Sequence, residues 1–416
     1  MDVMMVDNSV NEETPWQCMQ RGEAPNGEYE LAEISEGIEF ITDFIAKNYF
    51  DEYICEGGSK IKFVTGRRGS GKSHLMNYLS AIASRKSFVT VSFSAHNIWL
   101  HDFKEIYLEI LKQCDLMECL KACGNRIIRD MGYDPEDIAE DQTFLDYLSG
   151  IGEADPITKR EIRMQLKNMF WDNPNLDNNF ALCCSHLTGS ILGHPMLESQ
   201  NIDILNGWLY CDKSVRLLHL RALGLSPVRI TKYNARHMLR SLAEVIHLGG
   251  YSGLMINIDD IEVLCDRSSM QPMRYTKMRR EDTFESIREL IDEIDSMSYV
   301  IFFFGFDREL MDSENYGLKS YQALWMRIQN EIVGERFNRF SDIIDMDRLG
   351  HEIYDLKTLK NMAVKFANMA EENGKRAFLP NEERLMELLE QSRVNSIGLP
   401  LAVLQEVLNE GGGNNV

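Results

Sequence analysis

Apolar and polar positions along this chain repeat with two periods, and the order in which the periods change outlines the architecture. Ala32–Phe50 (AEISEGIEFITDFIAKNYF) carries apolar residues at helical spacing and predicts one helix. Ile61–Val64 and Phe88–Phe93 are short apolar runs of strand length, with a helical pattern over Ser73–Ser84 between them. Strand, loop, helix and strand in that order describe a βαβ unit, and therefore a parallel sheet. Residues 98–123 predict a long helix. Arg129–Asp155 is acidic and broken by glycine and proline, which predicts a loop-rich insertion, and Thr158–Leu209 reads as largely helical with weak periodicity. Tyr233–His247 is an amphipathic helix that Gly249–Gly250 stops. Leu254–Ile258 is then an apolar strand ending in Asp259 and Asp260, and Phe284–Asp295 is a helix. Tyr299–Phe304 is apolar throughout, as a strand buried on both faces requires, and is expected beside the Asp259 strand. Residues 355–416 carry helix signals only and run out in GGGNNV.

The expected fold class is α/β: a P-loop, AAA+-like three-layer sandwich with a parallel sheet, a helical insertion and a C-terminal helical domain. The corresponding segments are an N-terminal arm (1–25), two halves of a nucleotide-binding core (26–125 and 236–350), the insertion (126–235) and the C-terminal helices (351–416).

Between the first strand and the helix after it lies Gly66-Arg67-Arg68-Gly69-Ser70-Gly71-Lys72-Ser73. It fits the phosphate-loop pattern G-x-x-x-x-G-K-[ST] at every required position and in the required strand-to-helix context. Glycines let the backbone turn so that successive N–H groups converge on phosphate oxygens, and the helix N-terminus adds its positive dipole end. Lys72 is expected to neutralise β- and γ-phosphate charge, and Ser73 to give a hydroxyl to Mg²⁺. The nucleotide-contacting segment is taken to run from Gly66 through His74. Such a loop needs an acidic partner, expected here on an adjacent strand. Asp259 fits the metal shell and Asp260 the water-activating carboxylate, although aspartate is one methylene short for that task and Glu262 is an alternative. Asp307, just past the Tyr299–Phe304 strand, is the nearby candidate for sensing the γ-phosphate. Arg327, Arg336 and Arg339 are candidates for an arginine finger across a subunit interface. No N-K-x-D element lies downstream to read guanine, which favours ATP over GTP.

Composition narrows the class without naming a chemistry. Among 416 residues, 44% hydrophobic and 26% charged content is ordinary for a globular protein, and no apolar run reaches transmembrane length. The N-terminal stretch is acidic and polar, unlike a secretory signal, so the expected address is the cytoplasm. Cys114, Cys119 and Cys123 lack a CxxC pair and fit one helix face better than a metal site. A formal charge of −21 opposes indiscriminate nucleic-acid binding. Lys213–Arg240 and Arg274–Arg280 remain as local basic segments, read either as solvated surface or as a DNA contact.

With these motifs placed, the chain resembles the ATP-binding proteins of BREX-type phage-defence loci, a branch of AAA+ ATPases near the initiator and origin-recognition group. The resemblance rests on FVTGRRGSGKSHLMNYLS, on ITKYNARHMLRSLAEVIHLGGYSGLMINIDDIEVL, on YVIFFFGFDRELM and YQALWMRI, and on the lead-in QRGEAPNGEYELAEI, spanning about residues 16–345. It implies Lys72 and Ser73 as phosphate and metal contacts, Asp259 as the metal-shell acid, Asp260 as the water activator and Arg327 as the finger candidate. It also implies a partner helicase of superfamily 2 and a role in a defence complex. Three positions depart from the family pattern. Asp260 replaces glutamate, Asp307 stands at a threonine-like sensor position, and Gly398-Leu399-Pro400-Leu401 carries leucine where a second-sensor arginine is usual. The function these features imply is an ATPase switch, with an ATP-bound scaffold or a P-loop phosphotransferase as alternatives, and with homo-oligomerisation open.

Overall fold

Five short runs of apolar sequence pair into one wholly parallel sheet: β1 (Ser59–Gly66), β2 (Phe88–Ser94), β3 (Gly253–Asp259), β4 (Val300–Asp307) and β5 (Ile343–Asp345). Their order is β2-β3-β4-β1-β5. The structure is a computed structural model that describes residues 15–25, 28–265, 273–329, 337–392 and 395–409. Residues 1–14 of the expected arm (1–25) and the GGGNNV tail lie outside the described residues.

Successive strand residues face opposite sides, and both sides are covered. Phe63, Ile256, Phe302 and Phe304 face one core, which runs without a break into the helices between β2 and β3 through residues such as Phe103, Tyr107, Phe180 and Leu205. Val64, Met255, Ile301 and Phe303 face a second core, shared with Leu75, Met76 and Leu79 of the helix Lys72–Arg85 and with Ile41 and Phe50. A third cluster, holding Trp16, Leu359, Phe366 and Val403, joins the N-terminal turn to the C-terminal helices. The architecture is therefore α/β, with helices on both faces of a parallel sheet.

Several expected elements take a different form. Ala32–Phe50 is not one helix. Glu28–Ile34 and Glu39–Ile45 are separate, broken around Gly37, and the second continues as a π-helical stretch, Ala46–Ile54. The 98–123 pattern is two helices, Phe103–Gln113 and Leu116–Asp130, because Asp115 caps the second through its side chain. The loop-rich stretch 129–155 contains a helix, Phe144–Ile151, opened by a reciprocal capping box between Thr143 and Asp146. Cys114, Cys119 and Cys123 are buried thiols of the core, but they do not share one helix as expected: Cys119 and Cys123 lie on Leu116–Asp130, and Cys114 ends the helix before it.

The strand register gathers the polar chemistry at one edge. Gly66 lies opposite Asp307, Thr65 opposite Asp345, and Ser94 opposite Asp259. All five strand ends thus meet at the C-terminal edge, where open α/β sheets bind ligands.

Candidate functional site

The loop after β1 turns into the helix Lys72–Arg85 through Gly71, whose φ of 95° is left-handed and costs glycine nothing. The first helical bond runs from the Leu75 N–H to the Gly71 carbonyl. The N–H groups of Lys72, Ser73 and His74 precede it and have no partner within the helix, so they are left for an anion. Two other amides of the loop are already engaged. The Arg67 N–H donates to Asp347 Oδ2 at 3.0 Å, and the Ser70 N–H donates to the Arg67 carbonyl at 3.1 Å.

Lys72 is buried, and its Nζ donates to Asp307 Oδ1 at 2.5 Å and to the carbonyls of Gly66 and Arg67 at 3.3 and 3.2 Å. Ser73 Oγ donates to Asp259 Oδ2 at 2.5 Å. The two chemical ends expected to meet therefore do meet, but not on adjacent strands as the sequence led us to expect, because β4 lies between β1 and β3. Ser73 bridges the gap because it rides on a helix that packs across β1, β4 and β3 together. Burial, reinforced by the neighbouring Asp260 charge, raises the Asp259 pKa, while the Ser73 hydroxyl lowers it.

Asp260 has a left-handed φ of 59°, and its Oδ2 accepts from the Ser94 hydroxyl at 2.5 Å. Glu262 Oε2 accepts from the Asp307 N–H at 3.1 Å. Burial and the Asp307 carboxylate push Glu262 up to about 7. His74 Nε2 is 2.8 Å from the Ser35 hydroxyl, which itself donates to the Leu31 carbonyl at 2.6 Å. Burial lowers His74 to about 4 and leaves it neutral, with Nδ1 buried and without a protein partner.

Gly69, Gly71, Lys72, Ser73 and His74 help to line a cleft. Met19, Pro25, Ile38, Tyr354, Phe366 and Leu401 are among its other lining residues. Pro25 lies in the lead-in and Leu401 in the second-sensor segment, but neither motif marked them as cleft lining, and Met19, Ile38, Tyr354 and Phe366 carried only an apolar signal. A mostly apolar slot beside a phosphate loop suits a flat heteroaromatic base. The residues therefore fit a nucleotide. Helix-start amides, a buried ammonium and an apolar slot suit its phosphates and base, and the Ser73–Asp259 oxygen pair is a hard donor set suited to Mg²⁺.

The C-terminal segment closes the loop from behind. The Gly398 N–H donates to the Arg68 carbonyl at 2.8 Å, the Leu401 N–H to the Gly69 carbonyl at 3.2 Å, and an Arg67 NH donates to the Asn395 carbonyl at 2.6 Å. Arg67 Nε also pairs with Asp347 at 3.0 Å. The Arg67 guanidinium is thus a strut between loop and C-terminal helices, while Arg68 is exposed. Arg327 lies elsewhere, bound through Nε and an NH to both oxygens of Asp292 at 2.5 and 2.9 Å. Arg339 stacks on Phe40 and Phe44, and Arg336 lies outside the described residues. In the expected basic segment, Arg229 is held by backbone carbonyls, Arg236 by Glu289 and Glu293, and Arg240 by Asn175.

A family model described as BREX system ATP-binding protein BrxC/D matches residues 16–393. The chain belongs to that family. No curated protein and no solved structure matches it. The BrxC/D match runs past the 16–345 span on which the resemblance rested and ends just before Asn395, Gly398 and Leu401 behind the phosphate loop. ATP binding in a phage-defence system is the property that the family's description carries, and no helix among the described residues is long and apolar enough to cross a membrane.

Proposed function

We propose that this BrxC/D protein binds ATP with Mg²⁺ in the cleft and hydrolyses it, as a nucleotide-dependent switch within a phage-defence complex. The observation that carries this reading is the convergence of Lys72, Ser73 and Asp259 at one end of the sheet, joined by the 2.5 Å Ser73–Asp259 bond. The amides of Lys72, Ser73 and His74 would hold phosphate oxygens, with Lys72 neutralising the terminal charge. Ser73 and Asp259 would hold Mg²⁺, which when bound offsets charge on the β- and γ-phosphates. The placement of β4 between the phosphate-loop strand and the acidic strand supports an AAA+-type arrangement. DNA, a superfamily 2 helicase and a second copy of the chain are the partners the reading includes. Arg327 would serve as a finger only after leaving Asp292.

The test is calorimetry with ATP–Mg²⁺ paired with phosphate release. Wild type should bind and turn over, and Lys72→Ala should weaken binding at least tenfold and abolish release. Equal binding and turnover in both proteins would refute the reading.

A second reading, an ATP-bound scaffold with negligible hydrolysis, draws on the Lys72–Asp307 pair and on leucine at 401. It predicts retained ATP without phosphate release even with duplex DNA present.

A further inference from the structure

Three acidic residues sit at and just beyond the end of β3, and the fold sends them to different places. Asp259 is committed to the Ser73 hydroxyl. Asp260 is tied to Ser94 on β2, the strand on the far side of β3 from β4 and β1, where Lys72 sits. That bond holds the Asp260 carboxylate away from the phosphate loop. The left-handed backbone at Asp260 then folds Ile261–Leu264 back as a single turn packed against β4. Glu262 on that turn reaches the Asp307 N–H at 3.1 Å, and Asp307 in turn holds the Lys72 ammonium at 2.5 Å. Glu262 is therefore one residue away from the cation that marks the terminal phosphates.

We propose that Glu262, rather than Asp260, is the carboxylate that accepts the proton from the attacking water. This rests on the hydrolysis reading above. The water oxygen forms a bond to the γ-phosphorus. The bond from that phosphorus to the β,γ-bridging oxygen breaks, and its electron pair leaves on ADP. One water proton passes to Glu262, which returns it to solvent. The glutamate has the methylene that an aspartate at 260 lacks. Its burial places it near neutrality, the range in which a general base is effective. The charged groups facing it are Asp307 and Lys72. Arg308, which opens the next helix, is turned to Asp345 and Asp347.

The experiment compares Glu262→Gln, Glu262→Asp and Asp260→Asn for ATP–Mg²⁺ affinity by calorimetry and for phosphate release between pH 5.5 and 9. Glutamine keeps the oxygen that accepts from Asp307. The Gln variant should hold ATP as tightly as wild type while release falls at least about hundredfold, within the usual range for losing a general base. Its residual rate should lose the acidic limb near pH 7 that wild type shows. Glu262→Asp should fall between the two, and Asp260→Asn should lose less than about tenfold. Turnover kept in Glu262→Gln, or a hundredfold loss in Asp260→Asn with ATP binding intact, overturns the assignment and leaves the hydrolysis reading standing. The second arm decides even if the Gln variant does not fold. Absence of release from wild type removes both.

Discussion

The ammonium of Lys72 and the carboxylate of Asp307 are 2.5 Å apart, so the end of β4 neutralises the phosphate-loop cation. The strand register makes this contact, because Gly66 and Asp307 are paired residues. An incoming nucleotide must share Lys72 with Asp307 or take it over, and must bring its own negative charge next to that carboxylate. Asp307 thus holds the cation in place and also opposes the ligand.

Asp307→Asn should therefore tighten ATP binding. Removing one opposing charge at a partly exposed site is expected to gain up to about tenfold in affinity, or about 1.4 kcal/mol. Calorimetry of both proteins under identical Mg²⁺ and salt conditions checks it. Weaker binding in the Asn variant would show that Asp307 orients Lys72 more than it competes for it.

Glu262 sets a pH dependence of stability whose sign is fixed by the direction of its shift. Its ordinary value is 4.5, and burial raises it to about 7 in the folded chain. Between those values the folded chain keeps a proton that the unfolded chain releases. Its contribution to stability accordingly falls as pH rises from 4.5 to 7 and is flat above. The full swing is roughly 3 kcal/mol. Urea denaturation at pH 5 and pH 8 should show Glu262→Gln gaining stability relative to wild type at the higher pH. Parallel behaviour of the two proteins would mean that the carboxyl is not buried as described.

Gly398 sits so close to the phosphate loop that a β-carbon there would lie 2.4 Å from the backbone nitrogen and Cα of Ser70. Both are backbone atoms, so neither can swing aside. Gly398→Ala should push the C-terminal helix off the loop, costing about 1–3 kcal/mol and weakening ATP binding. Differential denaturation with and without ATP–Mg²⁺ measures both effects. A variant equal to wild type in each would show that the contact is dispensable.

Arg67→Ala should be destabilising although it lies inside the nucleotide motif. It removes a partner from Asp347, which is nearly buried, and a donor from the Asn395 carbonyl. Arg308 still faces Asp347, so the expected loss is roughly 2 kcal/mol, less than for stranding a buried charge outright. A midpoint in urea that does not move would contradict the role as a strut.

The local signals in the sequence served well where a short stretch determines its own geometry. Gly71 at a strand-to-helix turn, Asp259 at the end of an apolar run, and Gly249–Gly250 after an amphipathic helix all act within a few residues. Strand order was another matter. Nothing in a run of apolar residues says which strand inserts beside which, so the adjacency expected of the Asp259 strand and β1 was wrong while their proximity was right. β5 was invisible because three residues, Ile343–Asp345, are too few to show a period. Asp347 and Asn395 carry no motif, and their contacts with Arg67 span 280 and 328 residues. Asp260 matched a pattern in sequence, but the left-handed turn that aims its side chain at Ser94 is a property of the fold.

The loop that carries the phosphate-loop motif is finished by residues more than three hundred positions downstream. During synthesis it leaves the ribosome early and waits, without its rear support, until Asn395 and Gly398 emerge to dock. A nascent chain cut short or stalled before that point carries the whole nucleotide motif without its backing. The shape of the nucleotide motif thereby depends on a segment made long after it.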